Sequence, residues 1–210
     1  MTRVLLVLAT LAALAATATP AALLRADAPT LTVAPATLVY GKGGVVLSGV
    51  VASRTAGQEV TILSQPCRFT EPSATATVLS TAGGAFRFRV QPMLNTTFRV
   101  RAENTVSRAV NVRVKPIVEL RRLRAGRYRA TVLTTNPVFL NGRPVLLQRA
   151  SGKGWVTVKR ALLAKASPET AITVLSAATI AVKTTGTLRA TVPATPGSCY
   201  LGASSPTLPA

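Results

Sequence analysis

Arginine is the side chain with the most chemical capacity in this sequence, and it comes in rows. Arg87 and Arg89 lie in "GGAFRFRV" (83–90), and Arg99 and Arg101 lie in "TTFRVRA" (96–102). Arg121, Arg122, Arg124, Arg127 and Arg129 fall inside nine residues. A guanidinium carries fixed charge and a planar fork of donors that fits phosphate and carboxylate oxygens. The rows therefore suggest an anion-binding surface. The aromatics beside them raise a second reading, because RNA-recognition sheets stack bases on strand phenylalanines flanked by basic residues. That reading needs helices behind the sheet, and the sequence has no helical periodicity there. Phe86, Phe88 and Val90 alternate with Arg87 and Arg89, as Phe98, Val100 and Ala102 alternate with Arg99 and Arg101. This is the pattern of half-buried strands, apolar side inward. A hairpin turned at "QPMLNT" would then place Arg87, Arg89, Arg99 and Arg101 on one face, with Arg113 and Lys115 extending it.

The remaining inventory excludes most catalysis. There is no histidine, so Ser-His-Asp and Cys-His mechanisms are absent. The acids number 6, and the one aspartate, Asp27, lies in the N-terminal segment. Glu59, Glu71, Glu103, Glu119 and Glu169 are scattered, which does not suit a two-carboxylate glycosidase. Two cysteines without histidine do not make a usual zinc site, and no Asp-rich calcium loop occurs. No cofactor motif is present, since "YGKGG" (40–44) lacks the spacing of a phosphate loop. The expectation is a protein that is not an enzyme. Asn95-Thr96-Thr97 is a formal glycosylation sequon that reads equally as a loop asparagine.

The elements that must position the arginines are strands. Short segments rich in Val, Thr, Phe and Ile recur between Gly, Pro, Asn and Ser, which is the all-β sandwich pattern. In the first half they lie near 30–35, 45–52, 58–65, 75–82, 85–91, 96–102 and 108–116, with Gly49 and Gly57 at turns. In the second half they lie near 117–123, 127–133, 142–150, 154–163, 173–183 and 186–193, with a last segment ending at Leu208. The stretch 159–175 would accommodate one helical turn before Pro168. "GRPVLLQRA" parallels "GQEVTILSQ", so the second half repeats the first, and the division falls near Pro116.

The N-terminus reads as an export signal. Arg3 precedes an apolar run, Val4 to Ala16, too short to span a bilayer. Cleavage would follow Ala18 or Ala28. No later stretch suggests a membrane span or a sorting signal, so the mature chain is expected to be secreted, in solution or held non-covalently to the envelope. Without residues 1–28, Lys and Arg fall from 25 to 23 and the acids from 6 to 5, leaving a net charge of +18. In an exported chain Cys67 and Cys199 are expected to form a disulfide, the alternatives being free thiols or an intermolecular bridge.

The residues also carry a resemblance. "GGVVLSG" with Gly44 and Val46, Gly57 with Val60, the strand Gly84-x-Phe86-x-Phe88, and Thr96 to Ala102 resemble bacterial Ig-like repeats and carboxypeptidase-regulatory-like modules. "LLQR", "GWVTV" and "CYLGAS" in the second half resemble two-domain secreted proteins of high-GC Gram-positive bacteria. The turn Thr81 to Phe86 lacks the aspartate of the regulatory-like pattern. The resemblance implies two tandem Ig-like β-sandwiches, residues 29–116 and 117–210, behind a signal and processing region, 1–28. It implies an adhesive or scaffolding role and no catalytic residues. The expected partner is an anionic envelope polymer or polysaccharide, with no specific nucleic acid, or else the arginines are only a solvated surface on a spacer. The rival reading is a carbohydrate-binding module that stacks sugar on Trp155, the one tryptophan. Trp155 would otherwise serve in packing, and Tyr200 would pack beside the disulfide.

Overall fold

A computed structural model describes residues 27–136, 138, 140–166, 170 and 172–210. The body of the export segment and the stretch around Pro168 lie outside them. The first half contains β1 (Thr32–Ala34), β2 (Thr37–Val39), β3 (Val45–Val50), β4 (Glu59–Pro66), β5 (Ser73–Leu79), β6 (Ala85–Val90), β7 (Thr96–Ala102), β8 (Thr105–Val106) and β9 (Val110–Lys115). The second contains β10 (Ile117–Arg124), β11 (Arg127–Thr135), β12 (Pro144–Ser151), β13 (Gly154–Leu162), β14 (Ala164–Ala166), β15 (Thr173–Ala181), β16 (Thr187–Val192), β17 (Ala203–Ser204) and β18 (Leu208–Pro209). The described residues are all-β, with one short 3-10 turn at Ala82–Gly84.

The strands build four sheets. The first half pairs β1-β3-β6 in one sheet and β2-β9-β7-β4-β5 in another, with β8 attached to β7. The second half pairs β10-β11-β15-β14 and β13-β12-β16-β17, with β18 on β16. The order repeats: β10-β11-β15 corresponds to β1-β3-β6, and β16-β12-β13 to β7-β4-β5. The alternation of the sequence explains the faces. Along β7 the burial alternates strictly, with Phe98 and Val100 inside and Arg99 and Arg101 outside. Gly49 is not at a turn but inside β3 opposite Phe86, where a side chain would collide with the Phe86 ring and the Thr30 backbone.

Each half has its own apolar cluster. Leu47, Val60, Ile62, Phe86, Phe98, Val100 and Val112 centre the first, and Tyr128, Val132, Leu147, Ile180 and Leu188 the second. The first cluster also takes in Val138, Cys199 and Tyr200 from the other half. The connection between β16 and β17 reaches over to the first half. There Leu201 donates to Val114 O at 2.8 Å, and the Asn95 N–H donates to Cys199 O at 2.9 Å. Cys67 and Cys199 are bonded across this joint.

Candidate functional site

The arginines of β6 and β7 do not share a face. β6 pairs with β3, whereas β7 pairs with β4 and β9, so no hairpin joins them. Residues 91–95 carry the chain from one sheet of the sandwich to the other, with Pro92 and Leu94 buried on the way. Arg87 and Arg89 stand opposite Ser48 and Val46, outward from the three-stranded sheet. Arg99 and Arg101 stand opposite Leu63 and Thr61, outward from the other sheet and hence on the far side of the sandwich. Arg113 and Lys115, on β9, share the outward side of that sheet but lie beyond the Thr97–Asn111 pair, at the other end from Arg101. The β7 row is not purely cationic. Arg101 lines a groove of about 650 Å³ with Glu59 and Glu103, and Gln58 Nε2 donates to Glu103 Oε1 at 2.9 Å.

The second cluster also divides. Arg121 and Arg129 are direct cross-strand partners, and Arg124 opposes Arg127 across the β10–β11 turn. Arg127 and Arg129 alternate with buried Tyr128 and Ala130, so Arg121, Arg127 and Arg129 look outward together. The one acid on the strands of this sheet is Glu119, opposite Thr131. Arg122 has the opposite parity. It pairs with buried Tyr128 and turns toward the end of the sandwich. Among the described residues none of the nine arginines makes a side-chain hydrogen bond or ion pair.

Trp155 is half-buried on the outer face of the β13-β12-β16 sheet, not in a core. The Arg189 guanidinium lies over it, 4.1 Å from the ring centroid. Arg189 Nε donates to Gln148 Oε1 at 2.9 Å, and Thr191 Oγ1 donates to the same oxygen at 3.0 Å. One face of the ring is thus occupied by a fixed cation. Sequence reading missed Arg189 and Gln148, although both sit in alternating strand segments on adjacent strands.

The joint explains three further residues. Asn95 lies in the loop before β7, as read from the sequence, but its side chain is engaged: its Nδ2 donates to Ser198 O at 3.0 Å, and its Oδ1 accepts from Val114 N at 2.8 Å. Tyr40 OH donates to Ile172 O at 3.1 Å. Tyr200 is buried near the disulfide, and its ring meets Tyr40 edge-on at 6.4 Å. Burial pushes the Tyr200 phenol well above its ordinary range, and the hydrogen bond from the Thr135 backbone offsets this only in part.

Among the described residues no three His, Cys, Asp or Glu side chains stand close enough to hold a metal ion. No described helix is long and apolar enough to cross a membrane. No family model matches the chain, and no curated protein matches it. Among solved structures it is similar to bovine butyrophilin at 13% identity and TM-score 0.35, over 88% of this chain and 100% of that one. It is similar to red sea bream transglutaminase at 14% identity and TM-score 0.32. That likeness covers 88% of this chain and spans 31% of the transglutaminase.

Proposed function

We propose that this chain is an exported, non-enzymatic protein of two tandem Ig-like sandwiches, 29–116 and 117–210, that holds cationic surfaces against an anionic polymer of the cell envelope. The observation that carries this reading is the direct opposition of Arg121 and Arg129, with Arg127 on the same outward face. Like charges directly across a sheet cost up to about 1 kcal/mol per pair. Glu119 is the one carboxylate on these strands, so neutralisation must come chiefly from outside the sheet. A polyanion supplies it and gains released counter-ions on binding. The occupied face of Trp155 weighs against the sugar-stacking rival.

The test is retention of the purified protein on cell walls across a salt series, beside a variant carrying Arg121→Gln, Arg127→Gln and Arg129→Gln. Retention should fall steeply with salt, and the variant should elute at lower salt than the parent. Salt-resistant retention competed by neutral sugar would instead establish the carbohydrate-binding reading. Failure to bind walls, acidic vesicles and DNA would leave only a spacer.

A further inference from the structure

The strand alternation breaks at the end of the second half that lies away from the joint. Along β10 the parity of buried Val118 and Leu120 continues to Arg122, which is exposed where the strand passes the end of the core. Along β12 the inward positions are Val145, Leu147 and then Arg149, which stands opposite buried Leu188. β10 and β12 belong to the two facing sheets. Each therefore places an arginine where the pattern calls for an apolar residue, one step beyond the last core layer. Both side chains line a single cleft of about 760 Å³, together with Lys183, Thr184, Thr185, Gly126 and buried Tyr128.

The cleft is built from turns held against one another. Val182 N donates to Gly126 O at 2.9 Å, and Ala210 N donates to Gly186 O at 2.8 Å. Gly126 and Gly186 have φ of +68° and +93°, which only glycine adopts readily. A Cβ on Gly126 would stand 3.2 Å from Val182 O, and one on Gly186 would stand 3.9 Å from the Arg149 stem. These glycines let the turns close up and let Arg149 lie along the 183–186 turn. Ala210 lines the cleft as well, and its main-chain carboxylate is the one anionic group there, so three cations stand against a single negative charge. Two grooves of comparable size are less cationic: Glu119 stands with Lys42 and Lys115 in the groove between the halves, and Glu59 and Glu103 stand with Arg101 in the first half.

We infer that this cleft is a discrete site for a phosphate group carried on a larger molecule. Two cations from facing sheets and a third from a turn approach one space from different sides. A tetrahedral anion presents oxygens in all of those directions, whereas a planar carboxylate does not. Arginine forks and threonine hydroxyls are suitable donors to phosphate oxygens. The volume lies in the range of small-ligand sites and leaves room for the group that bears the phosphate. The inference deepens the anion-binding reading above by naming one site and one ligand chemistry.

The test titrates the full protein with inorganic phosphate, with a soluble glycerol-phosphate oligomer and with phosphatidylglycerol vesicles, following the arginine side-chain N–H signals by NMR. The signals of Arg122 and Arg149 should shift with the oligomer, and with vesicles only if a lipid headgroup is the source. A variant with Arg122→Gln, Arg149→Gln and Lys183→Gln should bind the oligomer at least tenfold more weakly. A control that loses the same charge elsewhere, Arg108→Gln, Lys159→Gln and Arg160→Gln, should lose less than threefold. If removal of Arg149 unfolds the protein, Arg122→Gln with Lys183→Gln alone should still weaken binding several-fold. Equal losses in the cleft variant and the control would overturn the site, as would equal binding of acetate or citrate. Wall retention that persists in the cleft variant would remove the cleft without removing the proposed function. Oligomer binding without wall retention would do the reverse.

Discussion

The Tyr200 hydroxyl accepts a hydrogen bond of 2.7 Å from the backbone N–H of Thr135, at the point where the two halves meet. Tyr200 comes from the connection that crosses to the first half, and Thr135 ends β11 in the second. The bond therefore ties that connection back to the sheet it left. Thr135 and Tyr200 are both buried, so water does not replace the phenol easily. Tyr200→Phe keeps the ring against Tyr40 but leaves the Thr135 N–H unpaired. It should destabilise the protein by about 1–3 kcal/mol, read as a lower midpoint in urea with unchanged slope.

The same phenol sets the alkaline limit. Burial raises the Tyr200 pKa in the folded chain above that of an unfolded tyrosine, near 10. Below that value both states keep the proton and stability is unaffected. Above it the unfolded state loses the proton first, so stability falls as pH rises. With no histidine, no side chain of ordinary pKa titrates between about pH 6 and 8. A melting profile should be flat across neutrality and decline above about pH 10. In Tyr200→Phe that decline should be shallower.

The disulfide links residues 132 apart in sequence and fixes the crossing connection to the first half. Closing so long a loop restricts the unfolded chain by about 4–5 kcal/mol on the chain-entropy model. The paired variant Cys67→Ala, Cys199→Ala should lose stability of that order. Asn95→Ala in the oxidised protein should lose less, about 1–3 kcal/mol, because two hydrogen-bond partners remain buried at the joint. Urea denaturation of the two variants, with and without reductant, checks the order. A larger effect for Asn95 than for the cysteines would contradict it.

Single strands were legible in the sequence because period-two alternation is local. β7 has the bounds read for it, and Phe86 and Phe98 are in the core. The strand orders of the two halves correspond, β10-β11-β15 to β1-β3-β6 and β16-β12-β13 to β7-β4-β5. The partner of each strand was not legible, because register and sheet choice depend on connections. "QPMLNT" has turn residues, yet buried Pro92 and Leu94 make it a passage between sheets. β2, with three residues and a parallel partner, is too short to show a period. The cleft residue Arg149 lies in an ordinary strand segment. Its role emerges only when the facing sheet brings Arg122 to the same opening.

The opposed rows in the first half give a prediction about charge. Arg87 and Arg89 face away from Arg99 and Arg101, so one rigid polyanion cannot lie on both rows. Losses of polyanion affinity from Arg87→Gln with Arg89→Gln, and from Arg99→Gln with Arg101→Gln, should add within about 0.5 kcal/mol in the combined variant. A coupling above about 1 kcal/mol would mean that the ligand wraps the sandwich or bridges two molecules.

Arg189 over Trp155 gives a spectroscopic prediction. The guanidinium is held by Gln148 and covers one ring face of the single tryptophan. A cation over an indole at a half-buried site contributes about 0.5–2 kcal/mol. Arg189→Ala should cost that much and uncover the ring, shifting its emission to the red and raising its quenching by iodide and acrylamide. Gln148→Ala should do the same in smaller measure, because it frees the guanidinium without removing it. If sugar stacking on Trp155 were the function, neutral oligosaccharide would protect the tryptophan of the parent protein from acrylamide. With Arg189 in place that protection should be absent, and it should appear, if at all, only in Arg189→Ala.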